Sequence, residues 1–307
     1  MNVLVIGKPT YTTVLRTNGY PEEGSKTKVI EKHSLGGGAS LYAASLLGKW
    51  NSMVAYSGVV GSDHFGNEVK MHLDKFNVGT KFLEINYEHP TNTSYIIING
   101  LNGSSTEISN INDEINLSKY KYDFTPDIIL MDGSDMAGSL AALNNYPNTP
   151  SILFANRISE NVYDLSKKCT HVIANTTFAE ALTKLKLDDN QNNLVNFMQK
   201  IKDLHKANYI IMMREKGVLY VSDNQVKMMP ALNVREIIDD THAGYVFFGA
   251  FAFGMINNFG IDNAVKLANA AAGLSLTKLG SVNAMLELED VLNLAGLKMP
   301  EKIETLD

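Results

Sequence analysis

Apolar residues recur along this chain in two registers, and the places where the register changes divide it. Val3–Ile6 is an unbroken apolar run ending at Gly7, the pattern of a central parallel strand buried on both faces. Runs of the same kind recur at Met53–Tyr56, Asp127–Met131, Ser151–Ala155, His171–Ala174 and Tyr209–Met213. Between them lie stretches of helical period. The turn Leu35-Gly36-Gly37-Gly38-Ala39-Ser40 opens a helix through Leu47, and about Asn67–Phe76 places Val69, Leu73 and Phe76 on one face. Further helices are expected from Thr177 to about Leu185, over Leu194–His205 and over the Ala-rich Ile261–Leu279. Arg214-Glu215-Lys216-Gly217 reads as a hairpin turn into Val218–Val221. Alternation of this kind predicts an α/β fold built on a doubly wound, mostly parallel sheet.

Two segments break the rhythm. Residues 8–34 carry turn signals at Asn18-Gly19 and Pro21, and residues 80–115 are rich in Thr, Ile, Tyr and Asn, as in Thr93–Ile98 and Asn102-Gly103. Both read as short antiparallel strands outside the main sheet, forming a small second sheet within a single domain spanning 1–307.

The stretch Asp239–Ala250 carries the most chemistry. Small residues Ala243 and Gly244 come first, with Thr241 available as a helix cap. An apolar run to Met255 then reads as a buried helix with Gly249 and Gly254 on its packing faces. A helix start offers unpaired N–H groups and the positive end of a dipole, which suit a phosphate. The same residues also describe an ordinary buried helix with a tight entry.

Composition narrows the partners. At 45% hydrophobic, 20% charged and net charge −6, with no Lys/Arg cluster among aromatics, the chain is a poor match to nucleic acid or an anionic membrane. The run Val246–Ile256 is too short to span a bilayer, so a soluble protein is expected. The single cysteine, Cys169, can form neither an internal disulfide nor a Cys-based zinc cluster, which fits a reducing cytoplasm.

Taken in order, the motifs resemble the PfkB (ribokinase-like) carbohydrate kinase family over nearly the whole chain. Gly37–Gly66 aligns with that family's N-terminal signature, ending in Val60-Gly61-Ser62-Asp63-His64-Phe65-Gly66. Asp239–Ala250 aligns with the C-terminal signature, usually Asp-x-Thr-Gly-Ala-Gly-Asp-x-Phe-x-Gly, and Ala268–Ala272 with Gly280 falls where the family has its adenine-pocket helix and final loop. The resemblance implies a three-layer α/β/α sandwich with a small β lid, and transfer of the ATP γ-phosphate, with Mg2+, to a sugar or nucleoside hydroxyl. It places catalysis at His242, Ala243, Gly244 and Tyr245, and the acceptor at Thr12, Gly37, Gly38 and Tyr42. Nucleotide falls to Asn175, Arg214, Gly217, Asn269 and Gly280, and a homodimer through the lid is expected.

The departures from the family pattern fall on the reacting groups. Tyr245 stands where the family has its base Asp, His242 where it has a Gly of the anion turn, and Tyr42 where it has Asn. Phe178 replaces the Glu that helps organise magnesium, Arg214 replaces a Gly, and Thr12 stands near the usual sugar contact. A phenol of pKa about 10 is ionised in roughly one molecule in a thousand at pH 7, and a general base contributes ~10²–10⁴-fold. Two outcomes stay open: a catalytically impaired pseudokinase, or an active kinase with His242 or Asp240 as a substitute base. Tyr42 and Tyr245 would in the first case fill a vacated sugar pocket, and His242 would cap a nearby carbonyl.

Overall fold

The computed structural model describes residues 2–300 apart from 113, 119–120 and 280–284. Its elements, in chain order, are β1 (Asn2–Ile6), β2 (Thr10–Thr17), β3 (Val29–Gly37), α1 (Ala39–Lys49), β4 (Met53–Gly61), α2 (His64–Lys75), β5 (Val78–Asn86), β6 (Thr93–Asn99) and β7 (Ser105–Asn110). There follow β8 (Ile128–Met131), α3 (Met136–Asn145), β9 (Ser151–Ala155), α4 (Glu160–Ser166), β10 (His171–Asn175), α5 (Thr176–Thr183), α6 (Gln191–Leu204) and β11 (Asn208–Met212). The chain continues through β12 (Val218–Ser222), β13 (Gln225–Met229), α7 (Ala243–Ile256), α8 (Gly260–Ser275) and α9 (Leu288–Ala295).

Nine strands form the main sheet in the order β13-β12-β11-β10-β9-β8-β1-β4-β5. All neighbours pair parallel from β11 to β5, and β12 and β13 are added at one edge by antiparallel pairing, so that only β12 runs against the rest. The continuous apolar character of β1 follows from its position: Val3 and Val5 enter one core cluster, Leu4 and Ile6 the opposite one. The first cluster is closed by α1, α2, α7, α8 and α9, the second by α3, α4, α5 and α6, which gives the expected three layers.

The lid is a separate four-stranded sheet, β3-β2-β6-β7, whose inner side packs Val14, Ile96 and Ile98 against Leu279. Two expectations about it need correcting. Residues 80–86 do not join the lid; they belong to β5, which pairs parallel with β4 from Val54↔Val78 to Gly61↔Asn86. Lying at the sheet edge, β5 is only partly covered, so its sequence alternates like a lid strand. At the other end, β3 extends past residue 34 and carries Gly36 and Gly37 into the site.

Helix boundaries shift for local reasons. Asp63 accepts from the Gly66 N–H at 2.8 Å and so starts α2 at His64, ahead of the periodic apolar positions. Helix α8 stops at Ser275, four residues short of the expected end. Helix α7 is apolar on every side, the signature of a core helix, with Phe247, Phe248 and Phe251 almost fully buried. Its glycines have packing reasons. A Cβ on Gly249 would lie 3.1 Å from Ala43 Cα, and one on Gly254 only 2.7 Å from Ala264 Cβ.

Candidate functional site

The carboxyl ends of the parallel strands meet the lid over the first turns of α1 and α7, the edge where open α/β sheets hold ligands. A small cavity lies there, lined by Thr12, Gly36, Gly37, Gly38, Tyr42, Ile96, Glu107, His242 and Tyr245. Five residues expected to hold acceptor or reacting groups, Thr12, Gly37, Gly38, Tyr42 and Tyr245, therefore converge, together with His242. The space left among them is about 10 Å3, room for about one water molecule, whereas ligand pockets run to roughly 300–1,000 Å3.

Three rings occupy the rest. Tyr42, held on α1 with 1% of its surface exposed, stacks on the His242 imidazole at 4.6 Å between centroids and 22° between planes. Tyr245 tilts against Tyr42 at 5.9 Å and meets His242 edge-on at 6.2 Å. Phe154 of β9 backs Tyr245 at 5.8 Å. The phenol oxygen of Tyr42 is buried and has no hydrogen-bond partner among the described residues. Burial, then the Asp239 charge, then Tyr245 push that phenol well above its ordinary pKa. Tyr245 is pushed up in the same way, by burial first and then by Glu107 and Asp132, with Arg157 opposing. At neutral pH it is even less ionised than a free tyrosine.

The entry to α7 differs from the cap expected at Thr241. His242 takes the N-cap position with no side-chain cap bond, and the Thr241 N–H donates to Asp239 Oδ1 at 2.9 Å. Nor does His242 cap a carbonyl: its Nδ1 lies 3.5 Å from Asp239 Oδ2, both side chains almost fully buried. Burial alone would raise the Asp239 carboxyl, but the contact and charge of His242, followed by Thr241, outweigh it and hold the group below the usual range. Ala243 and Gly244 lie in the first turn of α7, where a Cβ on Gly244 would sit 3.2 Å from Phe154 Cζ.

The glycine turn before α1 is fixed from below. Ser40 N–H donates to Asp132 Oδ2 at 3.1 Å, and the other oxygen of that carboxylate accepts from the Ser134 N–H and hydroxyl. A Cβ on Gly7 would collide with Ser40 Oγ at 2.2 Å, which favours glycine just after β1. Asp132 and the lid residue Glu107 were not singled out from the sequence. Asp132-Gly133-Ser134 directly after an apolar strand was a usable signal; Glu107, in a polar lid strand, gave none.

The positions assigned to nucleotide lie apart from this cavity. Asn175 ends β10, caps α5 through the Phe178 N–H at 2.8 Å and donates its amide to Asn156 C=O at 2.8 Å. Arg214 and Gly217 bracket the turn after β11, Arg214 with φ 53° and Gly217 with φ 105°. Asn269 on α8 donates to Pro230 C=O at 2.9 Å, and Gly280 lies outside the described residues. The first-turn N–H groups of α7 suit a phosphate. The position where the resemblance implies a magnesium-organising Glu does not suit a cation, and the Asp239 and Asp240 carboxylates are engaged. Phe178 is 2% exposed in the core, Asp239 is engaged as above, and Asp240 accepts from Ser105 Oγ at 2.6 Å. No group of three or more His, Cys, Asp or Glu among the described residues could hold a metal. No described helix is long and apolar enough to cross a membrane.

Known proteins share this architecture. The chain is 24% identical over 300 residues to the ribokinase of Bacillus subtilis strain 168, covering 92% of this chain and 96% of the relative. It superposes with a TM-score of 0.77 on the ribokinase of Arabidopsis thaliana solved with ribose and ATP, at 18% identity over 96% of this chain and 99% of that one. For the ribokinase of Cryptococcus neoformans in complex with ADP the TM-score is 0.80, at 20% identity over 95% and 99% of the two chains. The model of the pfkB family carbohydrate kinases matches residues 1–288, and the chain belongs to that family.

Proposed function

We propose that this pfkB-family chain is a catalytically impaired relative of the sugar kinases. Transfer of the ATP γ-phosphate to a sugar or nucleoside hydroxyl is lost or greatly slowed, and the protein acts by binding a ligand or a partner. One observation carries this reading: Tyr42 stacked on His242 beneath the lid, with about 10 Å3 left for an acceptor. A sugar cannot enter without displacing two buried rings, and the residue at the base position is a phenol raised above its ordinary pKa. ATP is the first ligand to try, because the solved ribokinases were obtained with ATP or ADP. A cytoplasmic setting and a homodimer through the outer lid face, where Tyr95 and Ile108 pair cross-strand and stand half exposed, complete the proposal.

Thermal shift with ATP, with and without Mg2+, tests for a surviving nucleotide site; a thousandfold excess over Kd adds about 4 kcal/mol of stability. Coupled ADP release across a panel of sugars and nucleosides then tests transfer. The expected result is no acceptor-dependent release, and turnover at the ~1–100 s⁻¹ usual for kinases overturns the proposal.

A second reading has one specific observation in its favour. His242 and Asp239 lie 3.5 Å apart, the pairing that orients a histidine general base. Under that reading the protein is an active kinase with His242 as base, and His242→Gln abolishes turnover that Tyr245→Phe leaves intact.

A further inference from the structure

The tip of the lid is tied by hydrogen bonds to the segment that enters α7. Strands β6 and β7 are joined by a turn in which Asn99 C=O accepts from Gly103 N–H at 2.8 Å, and Asn102 Oδ1 accepts from Ser104 N–H at 3.0 Å. Beyond this rigid turn the chain touches residues 237–240 at three points. Asp240 N–H donates to Gly103 C=O at 3.2 Å, and Ser105 Oγ donates to the Asp240 carboxylate at 2.6 Å. Gly103 itself, at φ 73°, lies so close that a Cβ would come within 2.4 Å of Ile237 C=O. Residues 237–240 are anchored on their far side, where the N–H groups of Ile238 and Asp239 reach Leu276 C=O at 2.8 and 3.3 Å. From Asp239 the contact passes to His242 and so to the Tyr42 ring.

We infer that Gly103, Ser105 and Asp240 form a latch that holds the lid shut over the site. Ligand entry then requires this latch to open, because lid strands β2, β6 and β7 supply Thr12, Ile96 and Glu107 to the cavity wall. Ser105 and Asp240 are positioning residues. Neither lines the cavity, and they act by fixing the lid tip on the loop that carries Asp239 and His242. The latch rests on backbone and side-chain contacts alone, independent of whether the chain transfers phosphate.

Hydrogen exchange of the free, full-length protein, read by mass spectrometry, tests it. A hydrogen bond to a charged group contributes enough that its loss raises local opening about tenfold or more. Ser105→Ala and Asp240→Asn should each speed exchange of β6 and β7 amides by about that factor, while β10 and β11 stay as slow as in the parent. The double variant should open the lid little more than either single one, since each removes the same bond. Gly103→Ala, which forces the tip off Ile237, should give the same pattern. Ser109→Ala on the same strand, whose exposed hydroxyl donates to Glu107 of that strand and, among the described residues, makes no bond to 237–240, should not reproduce this pattern. Unchanged lid exchange in both single variants, purely additive effects, or faster exchange spread equally over β10 and β11 would each overturn the latch.

Discussion

The Tyr42 phenol ring and the His242 imidazole lie face to face, 4.6 Å between centroids, across the boundary between α1 and the entry of α7. Each comes from one of the two signature segments of the family. The contact therefore joins the segment proposed for the acceptor to the segment proposed for the phosphate.

The buried hydroxyl of Tyr42 stabilises nothing. It has no partner among the described residues, whereas the Tyr56 hydroxyl meets Ser40 Oγ at 2.9 Å and donates to Gly7 C=O at 3.2 Å. Stripping an unsatisfied buried oxygen is neutral or favourable, while removing a bonded one costs about 1–3 kcal/mol. Tyr42→Phe should leave the urea midpoint unchanged or raise it, and Tyr56→Phe should lower it. The reverse order would contradict the assignment of partners.

In the core, Gly254→Ala should destabilise although it sits mid-helix. Alanine gains about 1 kcal/mol of helix propensity. The new methyl would stand 2.7 Å from Ala264 Cβ, and overpacking of that kind costs about 1–3 kcal/mol. A lower thermal midpoint is expected, and a higher one would show that α7 and α8 can separate freely.

Arg214 holds φ 53° where the family pattern has glycine. The left-handed conformation costs a non-glycine residue about 1–2 kcal/mol, and glycine loses about 0.5–1 kcal/mol through its looser unfolded chain. Arg214→Gly should therefore be stabilising by up to about 1 kcal/mol. A clear loss in chemical denaturation would mean that the guanidinium makes a stabilising contact.

Acid should weaken the fold before the carboxylates titrate. Burial, with the Lys75 charge adding to it, holds His72 to about 4, and burial does the same to His171. An unfolded histidine titrates at about 6.5, so below that pH the unfolded chain binds protons the folded one refuses. Stability is full above about pH 6.5 and falls toward pH 4, by up to about 1.4 kcal/mol per pH unit for each imidazole. Denaturation midpoints of the parent and of His72→Gln across that range check the slope, which should be shallower in the variant.

Much of this was legible from apolar patterning, because central strands such as Val3–Ile6 are buried on both sides and say so. The edge strand β5 was not, since one covered face gives it the same alternation as a lid strand. The site was legible in its location only. Resemblance placed Thr12, Tyr42, His242 and Tyr245 in one site, and the cavity they line brings them together. Asp239 lies only three residues before His242, but the stacking of that imidazole on Tyr42 joins segments two hundred residues apart, which no local pattern encodes. Asp132 carried a local signal, the Asp-Gly-Ser run after β8 whose Ser134 it binds, but its tie to Ser40 on α1 again joins distant segments.

The place of Phe178 sets how reversible these changes are. It is packed in the core beside α6, so reinstating the family's glutamate there would put an unpaired carboxylate in an apolar interior. Such burial costs several kcal/mol, a large share of the roughly 5–15 kcal/mol that holds a domain together. On the reading that glutamate once stood there, a single substitution back would meet that cost at once. The helix around residue 178 would have to be rebuilt first, and in that sense the replacement works as a ratchet.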